Sequence, residues 1–229
     1  LDVGQGSAAL IETKKHNVLV DTGARFKSGM AMADYVVIPF LRLRNIQQLD
    51  ILHITHGDND HSGGKGLLAG ISLAVVEQNS CDHYKWTWDG VVFERFKAQG
   101  FEEGNNGSCL LRVSDSSGRS VLMAGDVERE AEKALLKQNV PLMADILLVP
   151  HHGSKTSSTL SFLEAVKPQV GIISAGNLNH YGHPHSEVVQ RMNSKSIEVY
   201  STASHGAIQV DFDPRQEGLS VSTYRPIFK

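Results

Sequence analysis

Short apolar runs separated by Gly, Asn and Asp recur along the whole chain, and the alternation of apolar and polar positions within them predicts β-strands. None of these runs approaches the roughly 18 apolar residues that a membrane-spanning helix needs. The strands are predicted at residues 7–11, 18–20, 49–54, 73–76, 91–96, 109–113, 121–124, 146–149, 170–174, 197–200, 207–210 and 219–224.

Four segments have helical periodicity instead, at residues 32–43, 128–138, 158–166 and 184–192. The clearest is 128–138, where Ala131, Ala134 and Leu135 share one face and most other positions are charged. In the first helix, Pro39 predicts a kink or an early break, because proline lacks the N–H that a helix interior requires.

The order of these elements indicates the fold class. The early strands follow one another closely, and the later strands alternate with helices. This order predicts an α/β (α+β) protein in which two mixed sheets pack face to face with helices outside, a four-layer αββα sandwich rather than a doubly wound parallel sheet. Internal repeats, low-complexity stretches and linker-like segments are absent from the sequence, so we expect one domain over residues 1–229.

Composition narrows the function classes. The 229 residues include 22 Lys+Arg and 25 Asp+Glu, 41% are hydrophobic, and the formal charge is −3, which is typical of a soluble globular protein. This balance argues against wholesale electrostatic binding of nucleic acid. Cys81 and Cys109 are too few for a disulfide framework, so the sequence assigns no redox compartment. The chain starts directly in strand-like sequence without a signal peptide, and we expect a fragment cut at a domain edge.

Histidine, at 11 residues, is the unusual feature, and its densest cluster follows the strand predicted at 49–54. His56, Asp58, Asp60 and His61 place four metal-competent side chains within six residues, and two glycines follow at 63–64. Bunched carboxylates repel each other unless a cation neutralises them. Imidazole nitrogen together with carboxylate oxygen suits zinc, manganese or iron.

A second cluster, His151-His-Gly-Ser-Lys155, follows another predicted strand. Successive strand side chains face opposite ways, so only one histidine can point easily at a given metal. We expect His152 to be that ligand with His151 behind it, or the reverse. Ser154 and Lys155 could contact phosphate oxygens, or the loop could simply cap the next helix.

Three further residues are singled out by their positions. Asp21 ends a predicted strand, where Asp-x-Gly by itself indicates an ordinary turn. Asp126 precedes the helix at 128–138, where it could be the helix N-cap. His183 lies just before a predicted helix start, where exposed donors and the helix dipole favour an anion, or it belongs to a capping turn.

The segment from His56 to His61 resembles the H-x-H-x-D-H signature of the metallo-β-lactamase superfamily, with Asp58 in place of the second histidine. The resemblance implies that His56 and Asp58 serve one metal, that Asp60 and His61 serve the other, and that Asp126 bridges them. Two divalent metal ions are therefore expected. The change from imidazole to carboxylate hardens the first site, which makes Mn²⁺ at least as plausible as Zn²⁺.

The superfamily resemblance also implies that Asp21 braces the metal loop formed by residues 56–61. By resemblance to phosphodiester-cleaving members of the superfamily, His183 could bind the scissile phosphate or protonate the leaving oxygen.

A narrower resemblance covers nearly the whole chain. In order, its motifs resemble the C-terminal metallo-β-lactamase-like domain of ComEC, the family of DNA-uptake channels of bacterial natural competence. These motifs lie at residues 1–8 (LDVGQGSA), 56–61, 105–108 (NNGS), 125–128 (GDVE), 151–158 (HHGSKTSS), 179–184 (NHYGHP) and 206–208 (GAI).

The ComEC resemblance implies an extracytoplasmic domain of a bacterial cell-membrane protein, soluble as this fragment, that hydrolyses the DNA strand that is not imported. DNA and the rest of the channel would be its partners. Asp60, His183 and Lys155 would be catalytic, and Asn106 and Ser154 would contact substrate or orient ligands. Ser7 departs from the acidic residue common in the family. Asn105 and Asn106 also stand where many superfamily members carry a third histidine, so the first metal site would be weak or would fill only with substrate.

Two other functions fit the same residues. One is a hydrolase of the same fold that acts on a lactam, lactone or thioester. The other is a DNA-binding module without catalytic activity, which the missing third histidine favours.

Overall fold

The strands form two large sheets and a separate hairpin in the computed structural model, which describes residues 1–68, 71–77, 81–212 and 218–225. The first sheet contains β1 (Ala9–Glu12), β2 (Asn17–Val20), β3 (Gln48–His53) and β4 (Ser72–Glu77), in that order. The second runs in reverse chain order and contains β5 (Tyr84–Trp88), β6 (Val91–Phe96), β7 (Leu110–Ser114), β8 (Ser120–Met123), β9 (Ile146–Leu148), β10 (Val170–Ile173) and β11 (Glu198–Ser201). The hairpin pairs β12 (Ala207–Asp211) with β13 (Ser220–Tyr224).

Both large sheets are mixed. In the first, β1 and β2 are antiparallel, and β2, β3 and β4 are parallel. In the second, β5 to β8 are antiparallel, and β8 to β11 are parallel. Strand β3 belongs to the parallel part of the first sheet, and β9 belongs to the parallel part of the second. Loops that leave the carboxyl ends of such strands commonly carry functional side chains.

The described residues form the helices α1 (Ile38–Leu43), α2 (Asn59–Ser62), α3 (Arg129–Lys137), α4 (Leu160–Val166), α5 (Ser186–Asn193) and α6 (Thr202–His205). Helix α1 lies on the outer face of the first sheet, and α3, α4 and α5 lie on the outer face of the second. The alternation along β2 shows how the layers form: Val18 and Val20 pack between the sheets against Phe93, whereas Leu19 packs on the other face with Leu41 of α1. On the far side, α3, α4 and α5 cover the second sheet through Leu135, Phe162 and Val188. The predicted four-layer αββα sandwich is confirmed.

Several predicted element bounds were wrong. β5 was not predicted, because its pattern is carried by aromatic residues that are half-buried or exposed rather than by aliphatic ones. The helix does not end at Pro39, but its geometry changes there: a π-helical turn (Ala33–Val37) runs directly into α1, whose first turn contains Pro39. Helices α4 and α5 begin about two residues later than predicted, at Leu160 and Ser186.

The two cysteines form a disulfide bond. Cys81 and Cys109 have Cα atoms 5.6 Å apart and are separated by 28 residues in the sequence. The bond ties the segment that leads into β5 to the residue before β7. Within the described ranges, no helix has the length and apolar character needed to cross a membrane.

Candidate metal centre

The loop after β3 brings two of the predicted ligands together. It leads into the single-turn helix α2, which starts after Asp58 and contains Asp60 and His61. His61 is 1% exposed. Its carbonyl accepts hydrogen bonds from the backbone N–H and the hydroxyl of Thr22, at 2.7 and 2.9 Å. The metal loop is thereby fixed to the end of β2.

His152 reaches the same place through an unusual turn. His151, His152 and Gly153 are three successive residues in the left-handed region, with φ of 52°, 54° and 80°. The N–H of His151 donates to the carbonyl of Gly125 at 3.2 Å, so this turn lies against the residue before Asp126. The strand alternation expected for the two histidines does not apply, since β9 ends at Leu148.

Four of the predicted ligands converge. Asp60, His61, Asp126 and His152 each offer one ligand atom, and these atoms all lie within 4.8 Å of one another. Nε2 of His61 lies 3.1 Å from Oδ1 of Asp126. Nε2 of His152 lies 3.0 Å from Oδ2 of Asp60, and the two Nε2 atoms are 3.3 Å apart.

Acceptors behind the rings determine which nitrogen faces the centre. Nδ1 of His61 lies 2.7 Å from Oδ2 of Asp21, and Nδ1 of His152 lies 2.8 Å from the carbonyl oxygen of Ser174. A neutral ring therefore carries its proton on Nδ1 and presents the Nε2 lone pair inward. Two inward lone pairs beside two carboxylates form the donor set of a divalent metal, so the residues present fit a metal ion.

The ionisation of these groups reflects their mutual attraction. Burial alone would raise the pKa of Asp126, but the adjacent His61 and His152 hold that pKa well below its usual value. Burial would lower the pKa of His61, but Asp126 and Asp21 raise it well above its usual value. The pKa of His152 is raised by Asp126 and Asp60 in the same way, against the effect of burial. Because these two pKa values are raised, metal binding must displace protons from His61 and His152.

His56 and Asp58 lie beside this cluster but not within it. His56 is 6% exposed, and its Nε2 has no hydrogen-bond partner among the described residues. That atom is 3.6 Å from Oδ2 of the more exposed Asp58. Burial and the neighbouring His61 lower the pKa of His56. An uncharged, unpartnered imidazole nitrogen in the protein interior is what a second metal position would require.

The asparagines at the position of the expected third histidine face elsewhere. Oδ1 of Asn106 accepts the backbone N–H of Glu128 at 2.9 Å, and Nδ2 of Asn105 lies 3.4 Å from Nε2 of His151. Helix α3 has Glu128 as its N-cap, so Asp126 is not the helix cap. The N–H of Asp126 instead donates a hydrogen bond to Oγ of Ser108 at 3.0 Å.

Three predicted residues of the second cluster lie outside the centre. Nε2 of His151 is 4.0 Å from Oδ2 of Asp126, and its Nδ1 is 3.3 Å from Glu128. The Ser154 side chain is buried and bonds to the hydroxyl of Thr156 at 3.0 Å. Lys155 is exposed and lines an open groove with Asn106 and Thr156. None of these three residues is among the four converging side chains.

His183 is close to the centre. Its ring centroid is 5.8 Å from that of His151 and 6.3 Å from that of His152. Burial and the charges of these two histidines lower the pKa of His183 to about 4. His183 is therefore a neutral ring near neutral pH, and it can donate one hydrogen bond to a ligand beside the centre.

Two contacts of the site were not predicted from sequence. His152 is oriented by the backbone carbonyl of Ser174. Every residue has a backbone carbonyl, so the sequence does not indicate this contact. Gln5 approaches His183 and stands in the LDVGQGSA motif, which was noted only for its family resemblance. The glycines on either side of Gln5 were the available signal.

A cleft of about 510 Å³ opens beside the centre. Its lining includes His56, Asp58, the Cys81–Cys109 disulfide, Lys97, Glu102 and Glu103. The cleft therefore reaches the His56 and Asp58 side of the centre.

Comparisons with known proteins agree with this geometry. A model described as the metallo-beta-lactamase superfamily matches residues 1–100. Competence protein ComA of Neisseria gonorrhoeae is 34% identical over 220 residues, which cover 91% of this chain and 31% of ComA. Recombination protein 2 of Haemophilus influenzae is 34% identical over 243 residues, which cover all of this chain and 30% of that protein. The chain spans about a third of the length of these curated relatives.

A solved structure shows the same fold. The metallo-beta-lactamase fold protein YhfI from Bacillus subtilis superposes with a TM-score of 0.55 at 11% identity, over 86% of this chain and 88% of YhfI. Members of this superfamily are generally metal-dependent hydrolases. The chain is therefore a metallo-β-lactamase domain, and its homologues include Competence protein ComA and Recombination protein 2 of the ComEC family.

Proposed function

We propose that this domain is a metal-dependent phosphodiesterase that hydrolyses DNA, and that it degrades the non-imported strand during competence-linked DNA uptake. The observation that carries the proposal is the convergence of Asp60, His61, Asp126 and His152 within 4.8 Å, next to the neutral donor His183. Metal ligands together with an adjacent hydrogen-bond donor match the needs of in-line attack on a phosphodiester.

The site supports one complete divalent position and one incomplete position. Asp60, His61, Asp126 and His152 would hold the first ion, and His56 and Asp58 would hold the second with a share of Asp126. Carboxylate-rich ligation suits Mn²⁺ as well as Zn²⁺. When bound, these ions supply an acidified water and positive charge at the scissile phosphate.

The protein's own side chains perform the remaining tasks. Asp21 and the Ser174 carbonyl hold His61 and His152 in the orientation that directs Nε2 inward. His183 donates a hydrogen bond to a phosphate oxygen. Lys155, which is exposed in the groove beside Asn106, contacts a phosphate farther along the strand.

Two observations support an extracytoplasmic DNA-processing role. Homologues over more than nine-tenths of the chain are named as competence and recombination proteins. The Cys81–Cys109 disulfide is typical of oxidising compartments and rare in the cytosol of ordinary bacteria. We therefore propose that the domain faces the outside of the cell membrane and works next to the rest of the DNA channel.

The test is digestion of end-labelled single- and double-stranded DNA with Mn²⁺, Zn²⁺ or a chelator, with product sizes read on a gel. We expect metal-dependent cleavage that Asp60→Ala abolishes while the circular dichroism spectrum stays that of the wild type. Unchanged cleavage by the purified variant would reject the proposal. The product lengths distinguish endonuclease from exonuclease action.

One observation favours a non-catalytic alternative. Asn106 is bonded to the backbone at Glu128, so the position of the missing third histidine contributes no ligand to the metal position at His56 and Asp58. A DNA-binding module would show almost no metal by elemental analysis after Mn²⁺ loading and would still bind DNA. Nitrocefin and a thioester, assayed in parallel with DNA, test the remaining hydrolase activities of this fold.

A further inference from the structure

Residues 4–7 pass between the loop that carries Asp60 and the loop that carries His183. The N–H of Ser7 donates to the carbonyl of Asp60 at 3.0 Å. Gly6 lies so close to that carbonyl that a Cβ atom there would be 2.4 Å from the oxygen. On the other side, a Cβ atom on Gly176 would lie 2.9 Å from the nitrogen of Gln5. The segment is therefore fixed from both sides by contacts that only glycine allows.

The two hydrogen-bond partners of the Gln5 side-chain amide determine which way its oxygen and its nitrogen face. Its Oε1 accepts the backbone N–H of Gly176 at 3.3 Å, and its Nε2 lies 3.4 Å from Nδ1 of His183. A backbone N–H can only donate, so the amide oxygen must face Gly176 and the NH₂ group must face the histidine. Nδ1 of His183 therefore accepts, and the single proton of the neutral ring is on Nε2.

The backbone of His183 is held as firmly as its ring. Oδ1 of Asn179 accepts the N–H of His183 at 3.0 Å, and Nδ2 of Asn179 donates to the carbonyl of His183 at 2.6 Å. Nε2 lies on the far side of the ring from Gln5, and no residue in the described ranges bonds to it. That N–H is thus available to a ligand.

We propose that Gln5 is a positioning residue that fixes His183 in the Nε2–H tautomer, so that the ring donates to an anionic phosphodiester oxygen at the candidate metal centre. Through Ser7, the same segment contacts Asp60, so one short stretch of chain sets the distance between the donor and the metal ligands. The contacts of Gln5 and Asn179 with His183 support the orientation of its ring, whereas its action on a phosphodiester rests on the proposed function.

The experiment uses metal-free protein with ¹⁵N-labelled histidine at about pH 8, where the His183 ring is neutral. Two-bond ¹H–¹⁵N correlations identify the tautomer, and His183→Ala assigns the signal. We expect Nε2–H in the wild type. Gln5→Glu should move the proton to Nδ1, because a carboxylate can only accept. Gln47→Glu, at an exposed position, should leave the tautomer unchanged.

A wild-type ring protonated on Nδ1 would overturn the proposal, as would an Nε2–H tautomer that persists in a folded Gln5→Glu variant. Should Gln5→Glu fail to fold, the wild-type spectrum and Gln5→Asn, whose shorter amide cannot reach both groups, decide the question. In that variant we expect a mixture of the two tautomers, and an unchanged pure Nε2–H form would contradict the role of Gln5.

DNA cleavage provides the second readout. We expect Gln5→Glu to lower kcat about 10- to 100-fold with KM within about threefold, the range typical of residues that orient a functional histidine. When Gln5→Glu is combined with His183→Ala, it should cause no further loss of kcat, since both changes act through one ring. Fully additive losses would overturn the catalytic part of the proposal. The tautomer measurement does not depend on DNA cleavage, so a failed nuclease assay leaves it decisive.

Discussion

The carboxylate of Asp21 lies 2.7 Å from Nδ1 of His61, and each of the two side chains is 1% exposed. The same carboxylate accepts the backbone N–H of Thr55 at 2.8 Å and contacts its hydroxyl. Asp21 therefore connects the end of β2 to the loop after β3. It sets the orientation of a ring whose other nitrogen points at the candidate metal.

Asp21→Asn should weaken metal binding about 10- to 100-fold, the usual effect of removing a partner of a metal-binding histidine. The amide can still accept, but it no longer supplies the charge that favours the inward lone pair. Mn²⁺ affinity is measured by competition with a chelating dye. Asp34→Asn, at an exposed position, is the matched control, and equal affinities in the two variants would contradict the role of Asp21.

The stability of the metal-free protein should peak near pH 6.5. The pKa values of His61 and His152 are raised above their usual 6.5, so the stability they contribute is complete below pH 6.5 and is lost as pH rises through the folded values. The pKa values of His56 and His183 are lowered, so the unfolded chain takes up more protons than the folded one as pH falls below 6.5.

Urea unfolding from about pH 4 to 9 with a chelator measures this dependence. With Mn²⁺ bound, the decline above pH 6.5 should disappear, because metal binding favours the unprotonated rings. A metal-free curve that keeps rising from pH 6.5 to 9 would contradict the proton-for-metal exchange described for the centre.

Removing the disulfide should lower the free energy of unfolding by about 3 to 4 kcal/mol, since the bond closes a loop of 28 residues in the unfolded chain. Cys81→Ser/Cys109→Ser is compared with the wild type by urea unfolding. Dithiothreitol should shift the wild type to the stability of the variant and leave the variant unchanged. A variant as stable as the oxidised protein would show that the bond does not constrain the chain.

Glu132→Ala should lower the free energy of unfolding by about 3 kcal/mol. The Glu132 carboxylate is completely buried and accepts the N–H groups of Ser158 and Thr159, at 2.5 and 2.9 Å. Alanine would leave two buried donors without acceptors, each costing about 1 to 3 kcal/mol. Glu130→Ala on the exposed face of α3 should stay within about 0.5 kcal/mol of the wild type. Equal losses in the two variants would refute this role of Glu132.

The sequence was sufficient for the layers and for most of the centre. Alternation such as that of Val18, Leu19 and Val20 indicates which side chains face each layer, because strand geometry has a fixed period of two. The density of donors from His56 to His61 indicated a metal loop, because carboxylates at that spacing need a cation.

The remaining features depend on long-range contacts that leave no local pattern. The sequence left open which of His151 and His152 is the metal ligand. Left-handed backbone conformations at two successive non-glycine residues are uncommon, and residue propensities do not predict them. Cys81 and Cys109 could not be paired from sequence, because only the packing of β5 to β7 brings their Cα atoms within 5.6 Å.

The left-handed turn at residues 151–153 also has a practical meaning for protein engineering. Each non-glycine residue held there costs about 1 kcal/mol or more, so the turn persists only while its surroundings impose it. Selection for heat resistance would readily yield glycine at position 152, and the selected variants would have lost a candidate metal ligand. Thermostabilising substitutions are better sought on the outer helices, away from this corner.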